Sequence, residues 1–205
     1  MKKRIYKQNC ALALASDLIG ERWTLLIIRG LLVRPMRYGE LLSDLPGMGT
    51  NLLATRLKEL ERDGIICKQN ASKTAPYCLS SVGETLEPVV LAMVRWSMTS
   101  FPQRQEADYF HNPDWDLVAL KSLYQPLKAP VESITVQFDH PTWKAWVTVD
   151  QRAYTCGLGM STEKTNLVWE GLIGSLQQFR ENVTELTKKE NQILEIFMAT
   201  FIVPD

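Results

Sequence analysis

Histidine and cysteine are scarce in this chain, two and four among 205 residues. The cysteines, at 10, 67, 78 and 156, show no CxxC spacing, and His111 and His140 are the only imidazoles, so no metal-ligand cluster is expected. Four cysteines spread over this length do not make a disulfide scaffold, which points to a reducing, cytoplasmic setting. Long apolar runs are missing too. Arg29 and Arg34 interrupt the best candidate well short of the about 18 residues that a membrane span needs. The opening Met1-Lys2-Lys3-Arg4 followed by Cys10–Ala15 imitates a secretory leader, but Asp17, Glu21 and Arg22 cut it short, and it reads as an amphipathic helix. No Ser/His/Asp set, nucleotide loop or HExxH occurs. Gly157-Leu158-Gly159 is too short to cradle a phosphate, and Asp114 with Asp116 reads as a helix start. An enzyme is not expected, and no cofactor is implied.

Net charge is the last absence, and it is an average: 23 basic residues balance 23 acidic ones. Residues 1–104 carry 15 basic and 9 acidic side chains, whereas residues 105–205 carry 8 and 14. The halves, near +6 and −6, suggest two modules with different partners. The predicted division is therefore 1–104 and 105–205, with a linker or helix end over Thr99–Glu106.

In the first module, apolar residues recur at three- and four-residue steps from Leu12 to Ile19 and from Trp23 to Leu31, which predicts two helices broken near Gly20. Tyr38–Leu45 and Thr50–Asp63 predict two more, stopped by Pro46-Gly47 and by Gly64. Two short helices around a tight turn have the layout of a helix-turn-helix. Ile65–Lys68 and Pro76–Ser80 then read as a hairpin, with Cys67 and Cys78 on its two strands. We take that pair as packing residues, with a cross-strand disulfide as the alternative. Ser81-Val82-Gly83-Glu84 has capping-box spacing and opens a last helix through Trp96. The sum is a winged helix-turn-helix.

On the fourth helix, Leu53, Leu57 and Leu60 share one face and Asn51, Thr55, Lys58 and Arg62 the opposite one. Short hydrogen-bonding side chains in the first turns suit base edges, and cations further along suit phosphates. Asn51 matches adenine N6/N7, and the methyl of Thr50 or Thr55 matches that of thymine. Lys58 and Arg62 add salt-dependent affinity. The alternative is an ordinary solvated helix face.

Several motifs occur in order: Cys10, Ile19-Gly20-Glu21-Arg22-Trp23-Thr24, Arg37-Tyr38-Gly39-Glu40-Leu41, Leu45-Pro46-Gly47-Met48, Leu53–Leu60, Gly64-Ile65, Tyr77–Ser80 and Gly83. Over residues 10–98 they resemble the HxlR-type transcription regulators, relatives of the MarR group. The resemblance implies a homodimer that binds double-stranded DNA, paired through the first and last helices of the module. It also implies backbone contacts from Arg37 and from the wing residues Lys68 and Lys73. Gly49 and Thr50 depart from the expected serine and proline, which predicts a less well capped fourth helix, and the wing is a few residues short. Some relatives sense oxidants through a cysteine at the position of Cys10. Beside Lys7 and at a helix start, Cys10 reads either as such a thiol or as a small hydrophobe packed beside Leu14.

The second module holds twelve of the eighteen aromatic residues. Asp114 is expected to cap a helix carrying Leu117, Leu120 and Leu123. Alternation at Ile134–Phe138, Ala145–Val149 and Tyr154–Leu158 predicts three antiparallel strands. Leu172–Leu186 and Ile193–Val203 are apolar at helical steps, with a strand as the alternative for the end of the latter. The fold class is thus α+β: a winged helix-turn-helix followed by a small α+β domain with an antiparallel sheet. Its layout resembles the sterol-carrier-like domain appended to some HxlR-type regulators. That resemblance makes Trp143, Trp146, Tyr154, Trp169 and Phe179 candidates for lining an apolar ligand cavity, with core packing as the alternative. The readings that follow are a ligand-responsive regulator on a palindromic operator, a redox regulator switching through Cys10, and a degenerate enzyme domain carried by a DNA-binding module.

Overall fold

The computed structural model describes residues 5–72, 74–101, 110–170 and 186–201. The chain separates into two compact units, Met1–Val90 and Leu91–Asp205. That division lies inside a helix, while the boundary expected at residue 104 falls outside the described residues.

The first unit begins with α1 (Ala11–Ile19) and α2 (Thr24–Val33). Between them Trp23 takes a left-handed conformation, φ 81°, unusual for a bulky side chain. The Arg22 guanidinium, 5.2 Å from the centre of its ring, packs on it. α2 stops at Arg34, whose extended backbone is what a following proline demands. α3 (Tyr38–Asp44) and α4 (Thr50–Arg62) follow. The turn between them passes through Gly47 at φ 86°, and α4 closes on Gly64 at φ 73°. At that closure Ile65 N–H reaches the Leu60 carbonyl (2.9 Å) and Gly64 N–H the Glu61 carbonyl (3.2 Å), a Schellman stop with apolar Leu60 and Ile65 both buried. β1 (Ile66–Lys68) pairs antiparallel with β2 (Tyr77–Leu79), and Met36 adds a bridge to Tyr77. Ile27, Ile28, Leu41, Leu53, Leu57 and Ile66 form the buried core. The helix, turn and hairpin layout is the winged helix-turn-helix that the periodicity predicts.

Two details differ from expectation. The helix after the hairpin is capped by Ser80 rather than Ser81: its Oγ accepts from Gly83 N–H at 3.0 Å and donates to the Gly64 carbonyl at 2.6 Å. It also breaks into α5 (Ser81–Glu84) and α6 (Glu87–Ser100). Pro88 explains the break, since restarting at Glu87 puts the residue without an N–H in a first turn, where none is needed.

In the second unit α7 (Asp114–Leu123) leads through a 3-10 turn at Pro126–Lys128 into a four-stranded sheet. The strands are β3 (Ile134–His140), β4 (Trp143–Val149), β5 (Tyr154–Leu158) and β6 (Leu167–Trp169), in the order β5-β4-β3-β6. The three expected strands pair antiparallel. β6 adds a parallel partner to β3 that three residues of alternation were too short to announce. α8 (Lys188–Ala199) opens on a capping box between Thr187 and Glu190, and Phe201 beyond it bridges Tyr124. Asp114 is not the cap of α7. Asn112 Oδ1 accepts from Asp114 N–H at 3.0 Å, and the Asp114 carboxylate instead accepts from the Trp143 indole at 2.9 Å. The predicted helix Leu172–Leu186 lies outside the described residues but for Leu186.

Candidate nucleic-acid interface

Because α4 buries Leu53, Leu57 and Leu60, helical phase alone turns Asn51, Thr55, Lys58 and Arg62 outward, and all four are exposed. Thr50, the first residue of the helix, is exposed beside them. The Thr55 hydroxyl donates back to the Asn51 carbonyl at 2.9 Å, which commits its proton within the helix and leaves the methyl for apolar contact. Arg62 hydrogen bonds Asp63 at 2.9 Å while remaining 62 % exposed. The N-cap is Gly49, with no side-chain cap, as the sequence predicts; its carbonyl accepts from Leu52 N–H at 3.1 Å and Leu53 N–H at 3.0 Å.

What aims this helix was less visible in the sequence. The Tyr38 hydroxyl donates to the Thr50 carbonyl at 2.6 Å, tying the start of α3 to the start of α4. Arg56, in the middle of α4, bonds Glu59 at 2.5 Å and Glu21 at 2.8 Å, which anchors the helix to the segment before α2. Its side chain is only 12 % exposed, so this cation is structural. The i, i+3 spacing of Arg56 and Glu59 was its one sequence signal. Behind α3, buried Asp44 holds Arg29 at 3.2 Å; burial pulls the Arg29 guanidinium below its ordinary value and Asp44 opposes that shift.

Arg37 is exposed at the N-cap of α3, where its backbone N–H donates to Glu40 at 2.7 Å. That bond, helped by Arg34 at 2.6 Å, holds the Glu40 carboxyl below its usual range. On the wing, the Lys68 ammonium stands 5.2 Å from the centre of the Tyr77 ring. Lys73 lies outside the described residues. One register position along, Cys67 faces Cys78, with the sulfurs 3.0 Å apart. Cys10 is exposed at the N-cap of α1, and Leu14 in the next turn is exposed as well.

Three of the aromatic candidates of the second unit, Trp143, Tyr154 and Trp169, share one face of the sheet, and Trp146 takes the other. Tyr154 and Trp169 share register with Val149 and Phe138 on the buried face, where the Tyr154 hydroxyl donates to the Leu117 carbonyl at 2.9 Å. Burial pushes that phenol well above its ordinary value. Trp143 stands on the same face at the end of β4. Trp146 takes the opposite face and lies against Gly157, where an added Cβ would come within 2.8 Å of the indole. Phe179 lies outside the described residues.

Residues 18–105 match the model of the HxlR-like helix-turn-helix family. The transcriptional regulator YybR of Bacillus subtilis is 33 % identical over 100 residues, which cover 46 % of this chain and 80 % of that protein. The chain belongs to the HxlR-like family. A second B. subtilis relative, the transcriptional regulator YdzF, is 38 % identical over 86 residues, 40 % of this chain and 79 % of its own. Among solved structures, the reduced form of the transcriptional regulator YodB from B. subtilis is 30 % identical, over 48 % of this chain and 100 % of that one, with a TM-score of 0.40. The assignment rests on sequence and concerns the HxlR-like unit.

Proposed function

We propose that this chain is a DNA-binding transcriptional regulator that reads a palindromic operator as a homodimer. One observation carries the reading: a single exposed stripe on α4, Asn51, Thr55, Lys58 and Arg62, sits over a wholly apolar buried face and opens on an uncapped N-terminus. Asn51 and Thr55, with Thr50 beside them, meet base edges in the major groove. Lys58, Arg62, Arg37, Lys68 and Lys73 meet phosphates. Pairing of two copies is supported by exposed apolar side chains on both helices that the family reading puts at the interface: Leu12, Leu14 and Leu18 on α1, and Val89, Met93 and Trp96 on α6. The cytoplasm is the compartment such a protein needs.

Redox switching through Cys10 is the second reading, favoured by the exposure of its thiol. Sensing of an apolar ligand by the second unit has less support, because Trp143, Tyr154 and Trp169 are engaged in packing and hydrogen bonds.

The test is a salt titration of binding to an operator selected from random duplexes. Asn51→Ala is expected to cost about 1–3 kcal/mol and relax base preference. Lys58→Ala is expected to weaken all sequences alike and shallow the salt slope by about one. Unchanged binding in both variants overturns the assignment of this face.

A further inference from the structure

We propose that Cys67 and Cys78 form a peroxide-oxidisable dithiol that staples the wing. The pair is cross-strand and directly opposed, with Sγ atoms 3.0 Å apart. Flanking bonds from Ser80 N–H to the Ile65 carbonyl and from Gln69 N–H to the Pro76 carbonyl put the two cysteines at a hydrogen-bonded position of the ladder. Such residues have Cα atoms about 5.5 Å apart, inside the roughly 4.4–6.8 Å that a disulfide spans. The backbone spacing is therefore within the reach of a disulfide. Both thiols are partly exposed, and Cys78 lines an open groove of about 460 Å³ with Leu31, Val33, Pro35 and Glu84, which gives a small oxidant a route to the pair.

The chemistry takes one hydrogen peroxide. The Cys67 thiolate attacks a peroxide oxygen, the O–O bond breaks, hydroxide leaves, and Cys67 becomes a sulfenic acid. Cys78 is the second thiol: burial, then the hydrogen bond and charge of neighbouring Cys67, push it up to about 11. Conversion of Cys67 to a neutral sulfenic acid removes that neighbouring charge. The Cys78 thiolate then attacks the Cys67 sulfur, the S–O bond breaks and a second hydroxide departs. The two thiol protons go to the two hydroxides, so two thiols and one peroxide give one disulfide and two waters. Closing a 3.0 Å contact to a bond of about 2.05 Å draws the strands together one register position from Lys68 and Tyr77, and so re-aims the cation of the wing.

That chemistry stands by itself, whereas its effect on DNA rests on the operator reading above, and the two are tested separately. The reduced full-length chain is treated with one equivalent of hydrogen peroxide, alkylated, digested and weighed. The peptides holding Cys67 and Cys78 are expected to be joined, lighter by two hydrogens, in the native sequence and in Cys10→Ser alike. Recovery of both as alkylated thiols overturns the proposal. In the second arm, operator affinity of the oxidised Cys10→Ser protein is expected to fall about five-fold and to return with dithiothreitol, but to be unmoved by peroxide in a Cys10→Ser, Cys67→Ser chain. A disulfide that forms without changing affinity overturns the regulatory part alone. Failure of the reduced protein to select any duplex overturns the operator reading instead and leaves the disulfide result standing.

Discussion

The winged unit wears its distinctive polar side chains outside, and the sheet of the second unit keeps Tyr154 and Trp169 inside. On α4 the polar stripe is exposed because three leucines occupy the core. In the second unit the aromatics do the filling: Tyr154 is 6 % exposed and Trp169 9 %, and Tyr154 contacts Tyr124 and Phe201 in a ring cluster that Phe197 extends. Enrichment in aromatics is thus no sign of a ligand site until the side chains are seen to converge. A regular polar phase over an apolar one is informative without that step, because helix geometry performs the convergence.

The comparison can be broken first at Phe138, which is wholly buried on the packed face of the sheet. Phe138→Ala is expected to lower stability in urea unfolding by about 3–5 kcal/mol. A loss below about 1 kcal/mol would mean that this face holds the slack of a pocket. Next is Gly83, where an added Cβ would stand 2.0 Å from the Ile65 carbonyl oxygen, with only backbone to yield. Gly83→Ala is expected to destabilise the winged unit by about 1–3 kcal/mol, read from its own thermal transition. Asn51→Ala sharpens the contrast from the other side, with expected stability within about 0.5 kcal/mol of the parent, since an exposed side chain carries no core.

The smallest effect concerns pH. Backbone N–H from Arg152, then Ser133 and Ala153, hold the Asp150 carboxyl below its ordinary value. The folded value is lower than the unfolded one, so this contribution is present above about pH 4 and is lost as pH falls through the folded value. Thermal melts of the parent and of Asp150→Asn are expected to differ near neutrality and converge in acid.

Much of the winged unit was legible because its punctuation is local. Gly47, Gly64 and Pro46 mark helix ends, and Leu53, Leu57 and Leu60 set a phase. What escaped was tertiary: the Tyr38 bond to Thr50 spans twelve residues and carries no periodic signature. The anchoring of Arg56 by Glu21 is likewise invisible to any helical window. In the sheet unit, alternation located three strands but not which face α7 and α8 would cover. Period two alone separates Trp143 from Trp146, but the sequence could not say that Tyr154 and Trp169 side with Trp143, which the register between strands decides. β6, three residues long and paired in parallel to β3, is defined by its neighbour rather than by its own composition.

The hydroxyl of Tyr38 on the Thr50 carbonyl also gives α4 a pivot at one end, against which the Arg56–Glu21 anchor and the buried leucines must hold the rest. Thirteen residues of helix extend about 20 Å from that pivot. A tilt of about 10° there would swing the far end by about 3 Å while scarcely moving the first turn. Asn51 sits at the fulcrum and Arg62 at the tip. On the proposed operator reading, a disturbance of α3 would loosen contacts to phosphates before it blurred contacts to bases, and graded control of occupancy would come with little change in the sequence chosen.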